Sequence, residues 1–316
     1  METKNPENLE KLGIGRLMQE AYRRHIVMPA FNVPYLPMVK PIVETLKDLK
    51  CFGMVEVARP DVEKFEAGSF KEAAVEFNKY ADRGFVRLHQ DHIPVIDEDL
   101  QRVDWKSLVQ EALDAGYDSV MLDGSRLSLE ENIEAVKAAV DMAHAQGVPV
   151  EAELGAVLGH EAGPLPPYEE LFSSGKGFTN IDEAKRFVEE TGVDWLSVAV
   201  GNIHGAITEA ARDKKKVEAR VNIEHLRKIS ETVGIPLVLH GGSGIKQESV
   251  LSAVKNGIAK INVGTVLRQV YEENLKGEGG DIRSAREAVG REVGCLIKDY
   301  YYIQGSAQKI GKDAVV

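Results

Sequence analysis

ENIEAVKAAVDMAHAQGVPVEAELG, residues 131–155, decides the fold. Its first seventeen residues carry apolar side chains at helical spacing and stop at Gly147, a common helix terminator. The remainder, VPVEAELG (148–155), is a short run of strand type. In a strand, Glu151 and Glu153 stand at alternate positions and point to the same side. The stretch therefore reads as helix, tight turn, strand, with two carboxylates on one strand face.

The same unit recurs along the chain. Strand candidates are MPAFNV (28–33), FGMVEVA (52–58), FVRLHQD (85–91), DSVMLDG (118–124), VPVEAELG (148–155), WLSVAVG (195–201), PLVLHGG (236–242) and AKINVGT (259–265). Most are near-continuously apolar, as parallel strands buried on both faces are. Helical patterns at 108–116, 131–147, 181–192, 223–234 and 247–257 alternate with them, and the region after 266 reads as terminal helices. Eight strands in alternation with helices define an α/β fold of the TIM (β/α)8 barrel type, with extra C-terminal helices. No G-x-G-x-x-G or P-loop fingerprint opens a helix, which weighs against an open doubly wound sheet. The whole chain, 1–316, is read as one barrel domain. Its long βα loops, 156–180 and 206–222, are expected to be mobile and to lie at the catalytic face.

Composition narrows the function. With 39 basic and 50 acidic residues the net charge is 39 − 50 = −11, a poor match for nucleic acid or an anionic membrane. The N-terminal METKNPENLEKLG lacks the apolar core of a signal peptide, and no apolar run reaches the roughly 18 residues of a membrane span. A cytoplasmic protein is the expectation. Cys51 and Cys295 are far apart without CxxC spacing, and both are expected to be reduced and packed.

In a TIM barrel the chemistry sits at the C-terminal ends of the strands. Polar residues gather there: His89-Gln90-Asp91-His92 on the third strand, Glu151 and Glu153 on the fifth, Gly201-Asn202-Ile203-His204-Gly205 after the sixth, His240-Gly241-Gly242-Ser243-Gly244 on the seventh, and Asn262-Val263-Gly264-Thr265 on the eighth. Of the eight histidines, His25, His144 and His225 fall in helical patterns and His160 in a loop, where packing or surface roles are expected. His92, His204 and His240 can converge on one ion. Three imidazoles with an open fourth position make a catalytic zinc site. Glu153 is a further or exchanging oxygen ligand, and His89 is read as orienting Asp91 or a ligand. The glycine turns ending the seventh and eighth strands occupy the usual phosphate position of the fold, with Ser243 and Thr265 hydroxyls at hand.

These motifs together (AFNV, HQDH, VMLDGS, EAELG, GNIHG, LHGGSG, INVGT and the terminal GSA) resemble the series found in class II fructose-bisphosphate aldolases, a family that includes tagatose-bisphosphate aldolases. The resemblance runs in order from about residue 12 to residue 311. It implies zinc held by His92, His204 and His240, with Glu153 near the metal. It implies Asp91 as the acid/base at the carbon 4 hydroxyl, Glu161 as the base at the dihydroxyacetone-phosphate carbon, and Asn262 positioning substrate. Gly205, Gly241, Ser243, Asn262, Gly264 and Thr265 become ketose-phosphate contacts. The resemblance further implies a sodium or potassium ion near the phosphate and a homodimer or homotetramer. The partner is a small sugar phosphate.

The expected reaction is reversible cleavage of a ketose 1,6-bisphosphate, fructose 1,6-bisphosphate first, to dihydroxyacetone phosphate and glyceraldehyde 3-phosphate. Tagatose 1,6-bisphosphate or another ketose phosphate is the alternative. Two departures from the family bear on that choice. Thr208 stands where a phosphate-reaching lysine is usual, with Lys214, Lys215 and Lys216 as compensation. Ala58 and Arg59 stand where a serine is frequent. Arg59 is read as a substrate-phosphate ligand, against the alternative of a salt bridge on the barrel rim. Two further readings keep the barrel: metal-assisted hydrolysis, which leaves the two phosphate turns unexplained, and a non-catalytic zinc-binding barrel.

Overall fold

The computed structural model describes residues 9–155, 168–202, 219–242, 245–277 and 280–312. Among them, eight parallel strands close into a barrel in sequence order: β1 Met28–Asn32, β2 Gly53–Ala58, β3 Val86–Pro94, β4 Ser119–Asp123, β5 Val150–Leu154, β6 Trp195–Val198, β7 Leu237–Leu239 and β8 Ile258–Val263. The barrel shuts where β1 pairs with β8, with Ala30 beside Asn262. Every strand expected from the apolar runs is present, and flanking helices complete a TIM barrel with additional helices at the C-terminal end.

Local chemistry places the helix ends. Ser128 caps the helix Leu129–His144 in a capping box, its hydroxyl accepting from Glu131 N–H while the Glu131 carboxylate accepts from Ser128 N–H. Asn180 and Asn222 cap Ile181–Thr191 and Ile223–Val233, and Gly192 and Gly234 end those helices in the left-handed conformation.

Two cores hold the molecule. The larger lies between the strands and the outer helices. The smaller packs Met28, Ala30, Met54, Trp195 and Val238 against Leu17, Met18 and Ile310, so the helices Ile14–Arg23 and Ser306–Gly311 plug the bottom of the barrel. The terminal GSA motif thus leads into the helix Ser306–Gly311, whose Ala307 and Ile310 pack into this core. Above this plug the barrel is not filled with branched apolar side chains, the usual TIM-barrel content. Glu56, His89, Glu151 and Lys260 are fully buried there.

Three expectations need correction. Cys51 is buried but Cys295 is exposed; its helix turns that position to solvent. Within 156–180, residues 168–174 form a helix, Tyr168–Ser174, docked on the end of β6 by Tyr168 Oη donating to Gly201 O at 2.9 Å. Gly201, at φ +102°, allows this approach, since a Cβ there would come within 2.6 Å of the Phe172 ring. His25 follows its helix rather than lying in it, at φ +51°. The remaining expected loop residues, 156–167 and 206–218, lie outside the described residues.

Candidate active site

Strand β3 aims the first two functional side chains. It is the longest strand, and its pairing with β4 shifts register between Gln90 and Ile93. His92 sits in that irregularity with φ +38°, a left-handed conformation that costs a non-glycine residue. Consequently Asp91 and His92 both face the interior network, although alternation in a regular strand would send them to opposite sides.

Asp91 is buried and accepts from two amides, Asn262 Nδ2 to Oδ1 at 2.9 Å and Asn32 Nδ2 to Oδ2 at 3.0 Å. Burial pushes its pKa up, but the charges of His92 and Lys260 outweigh burial and hold the carboxyl below its usual range. The group is thus an ionised acceptor with a fixed direction. Gly264 keeps Asn32 in place, because a Cβ on residue 264 would lie 3.0 Å from Asn32 Oδ1.

His92 and His240 meet nitrogen to nitrogen, His92 Nε2 to His240 Nδ1, at 2.7 Å. Each ring is anchored on its far side by a carboxylate. His240 Nε2 donates to Glu151 Oε1 at 2.8 Å, and His92 Nδ1 lies 3.6 Å from Asp123 Oδ2. With the outer nitrogens turned to carboxylates, the two facing nitrogens need a proton or a metal ion between their lone pairs. A carboxylate behind each imidazole is the arrangement that orients metal-binding histidines. Glu153 Oε2 lies 3.5 Å from His240 Nδ1 and Ser197 Oγ donates to it at 3.2 Å. Donor atoms of Asp91, His92 and His240 fall within 4.8 Å of one another, as do those of His92, Asp123 and Glu153.

The protonation pattern shows the same demand. Burial depresses His92, but the Asp91 charge and the contact with Asp123 carry it up to about 10. Burial and the His92 charge push His240 far below its usual value. One imidazole takes the proton and the other stays neutral. Burial and the Asp123 charge raise Glu153 to about 8.

The phosphate end is partly described. Gly241 is left-handed, φ +65°, at the end of β7. Asn202 Nδ2 donates to His240 O at 2.8 Å, tying the ends of β6 and β7 together. Thr265 begins the helix Thr265–Lys276 directly after β8, so that helix's N-terminus opens at the catalytic face, a setting suited to phosphate. Glu161, His204, Gly205, Thr208, Lys214, Lys215, Lys216 and Ser243 lie outside the described residues. Arg59 is engaged with Glu63 at 2.6 Å and Asp97 at 3.4 Å, the rim salt bridge that was its alternative reading. His89 Nδ1 pairs with Ser119 Oγ at 2.8 Å and its Nε2 lies 3.5 Å from Glu151. His89 is thus held by Ser119 beside the Glu151 carboxylate, while the two asparagines orient Asp91.

Residues without a role in the sequence reading join the site: Asn32, Asp123, Glu151, Asn202 and Lys260. Asn32 and Asp123 each end an apolar strand, a visible signal for a face-lining group; Lys260, inside IAKINV, is a charge in an otherwise buried strand.

A closed parallel barrel thus carries two facing imidazoles and a fixed carboxylate at the C-terminal ends of its strands. The chain belongs to the class II fructose-bisphosphate aldolase family, whose sequence profile matches residues 14–309. It is similar to the YdjI aldolase of Escherichia coli K12, at 29% identity over 93% of this chain and 98% of that one, with a TM-score of 0.73. The fructose-bisphosphate aldolase of Campylobacter jejuni shares the fold at 20% identity, over 92% of this chain and 94% of that one, with a TM-score of 0.69. The protein is accordingly an aldolase. Among the described residues no helix is long and apolar enough to cross a membrane.

Proposed function

We propose that the protein is a zinc-dependent aldolase that reversibly cleaves a ketose 1,6-bisphosphate, with fructose 1,6-bisphosphate the leading substrate. Tagatose 1,6-bisphosphate, of opposite configuration at carbon 4, is the alternative. The observation that carries the reading is the pair of carboxylate-anchored imidazoles facing each other beside Asp91. His92 and His240, joined by His204, would hold the ion, with Glu153 as an exchanging oxygen ligand. When bound, the ion supplies Lewis acidity toward the negative charge that cleavage leaves on the three-carbon fragment.

The protein's own groups do the rest. Cleavage between carbons 3 and 4 requires the carbon 4 hydroxyl to lose its proton, and Asp91 accepts it. In synthesis Asp91 returns that proton to the aldehyde oxygen. Asn262 and Asn32 fix the direction of transfer. Glu161 exchanges the proton at the dihydroxyacetone-phosphate carbon. Gly205, Gly241, Ser243, Gly264 and Thr265 bind the phosphate, beside a sodium or potassium ion. We further read the chain as a single cytoplasmic barrel domain that forms a homodimer or homotetramer.

The half-reaction test is direct. Zinc-loaded protein, given dihydroxyacetone phosphate alone in deuterated water, should exchange one carbon-bound hydrogen for deuterium. Absence of exchange would refute the aldolase assignment whatever the aldehyde partner is.

Two further outcomes are expected. Asp123→Asn and Glu151→Gln each leave an imidazole without its anchoring charge, and each should weaken zinc by roughly 10–100-fold; competitive chelator titration measures this, and unchanged affinity would show that the anchors do not orient the ligands. The second concerns pH. In the metal-free protein His92 has its pKa raised from 6.5 to about 10. Its contribution to stability is therefore fully present below 6.5 and is lost as pH rises to about 10. Glu153, raised to about 8, adds a loss of the same sign above its unfolded value of 4.5. Zinc must displace these protons. The rise in melting temperature on adding zinc should thus be larger at pH 9 than at pH 6.5; an equal rise at both would mean that no proton is exchanged for metal.

A further inference from the structure

Lys260 lies on β8, fully buried inside the barrel; its ammonium donates to Asn262 Oδ1 at 2.7 Å and forms ion pairs with Glu151 Oε2 at 3.0 Å and Glu56 Oε2 at 3.2 Å. An ammonium has three hydrogens and no acceptor. The atom of the Asn262 amide that faces it must be the oxygen, so the amide's NH₂ must face the other way, toward Asp91. Among the described residues the ammonium makes the hydrogen bond that Asn262 Oδ1 accepts. A flipped amide would set that oxygen against the Asp91 carboxylate, acceptor against acceptor. Asn32, the other amide on Asp91, is not among the hydrogen-bond or ion-pair partners of Lys260 and serves as an internal reference.

We propose that Lys260 is a positioning residue: it locks the Asn262 amide in the one orientation that donates to Asp91, and so keeps the carbon 4 acid/base aimed. The proposal rests on the aldolase reading for its kinetic consequence but not for its geometry. It also gives the buried charge a purpose. A lysine enclosed between two glutamates is a costly way to fill a barrel, and such ion pairs are weak evidence of stability. Apolar side chains would fill the space; the ammonium adds a donor without acceptor capacity that fixes the amide from its oxygen side, as the Asp91 carboxylate does from its nitrogen side.

The test uses the full-length, zinc-loaded protein. Lys260→Met alone leaves two buried carboxylates without their cation, so Glu56→Gln/Lys260→Met, which removes one charge of each sign, is made beside it. In protein labelled with ¹⁵N-asparagine, the Asn262 side-chain amide is identified by its loss in Asn262→Ala. Its hydrogens should exchange with solvent at least about 10-fold faster in the double variant, while the Asn32 amide is unchanged. Cleavage should fall about 10-fold or more in kcat with KM changed less than about 3-fold. In an Asn262→Ala background the same pair of substitutions should cost less than about 2-fold, since residues acting through one another are not additive. An Asn262 amide that exchanges as in the parent protein would overturn the proposal, as would losses that multiply. If no ketose phosphate is cleaved at all, the aldolase reading fails and the amide exchange still decides the role of Lys260.

Discussion

His240→Ala should abolish tight zinc binding and cleavage together. The ring supplies one of the two facing nitrogens, and its removal leaves His92 Nε2 without the partner 2.7 Å away. It also strips Glu151 of the donor at 2.8 Å, beside Trp195 Nε1 and Lys260, which continue to hold that carboxylate. The backbone at residue 240 is retained by Asn202, which donates to the carbonyl and not to the ring. The barrel should therefore fold, and the loss should fall on the metal. Because a directly bonded ligand is removed, affinity should weaken well beyond the roughly 100-fold typical of losing an anchor behind one. Metal analysis after gel filtration, with activity measured on the same sample, checks this. A full equivalent of zinc retained by the variant would remove His240 from the ligand set.

Asp91→Ala should do the opposite: zinc stays and turnover collapses. Both carboxylate oxygens are occupied by asparagine amides, and the group is ionised despite full burial. That environment suits a base that works at neutral pH, and deleting a positioned acid/base costs roughly 10²–10⁴-fold. The loss should appear in kcat for cleavage. Deuterium exchange into dihydroxyacetone phosphate, which involves no carbon 4 hydroxyl, should be far less affected. Parallel loss of both would mean that Asp91 serves the three-carbon fragment or the metal instead.

The sequence reading found the barrel because its strands are buried on both faces, so β-branched runs such as VMLD and INV stand out against amphipathic helices. Asp91, His92 and His240 stand out because polar residues are conspicuous at strand ends, and the structure brings them together. What it did not find depends on contacts across the barrel. Lys260 and Glu56 stand in apolar strands, yet their meaning comes from each other and from Glu151, on three separate strands. Alternation along β3 gives no warning that Asp91 and His92 serve one centre; the register shift at Gln90–Ile93 does that. His89, expected to orient Asp91 or a ligand, pairs with Ser119, and asparagines from β1 and β8 donate to Asp91. Arg59, read as a phosphate ligand, has Glu63 within reach one helical turn away, a pairing that i,i+4 spacing makes available.

Release of dihydroxyacetone phosphate from fructose 1,6-bisphosphate, tagatose 1,6-bisphosphate and a panel of other ketose phosphates, by chelator-stripped protein before and after adding zinc, tests the central claim most directly. Zinc-restored cleavage of a ketose phosphate, absent from the stripped protein, is the predicted result. Cleavage that survives stripping, or none from the zinc-loaded protein on any of these substrates, would contradict it.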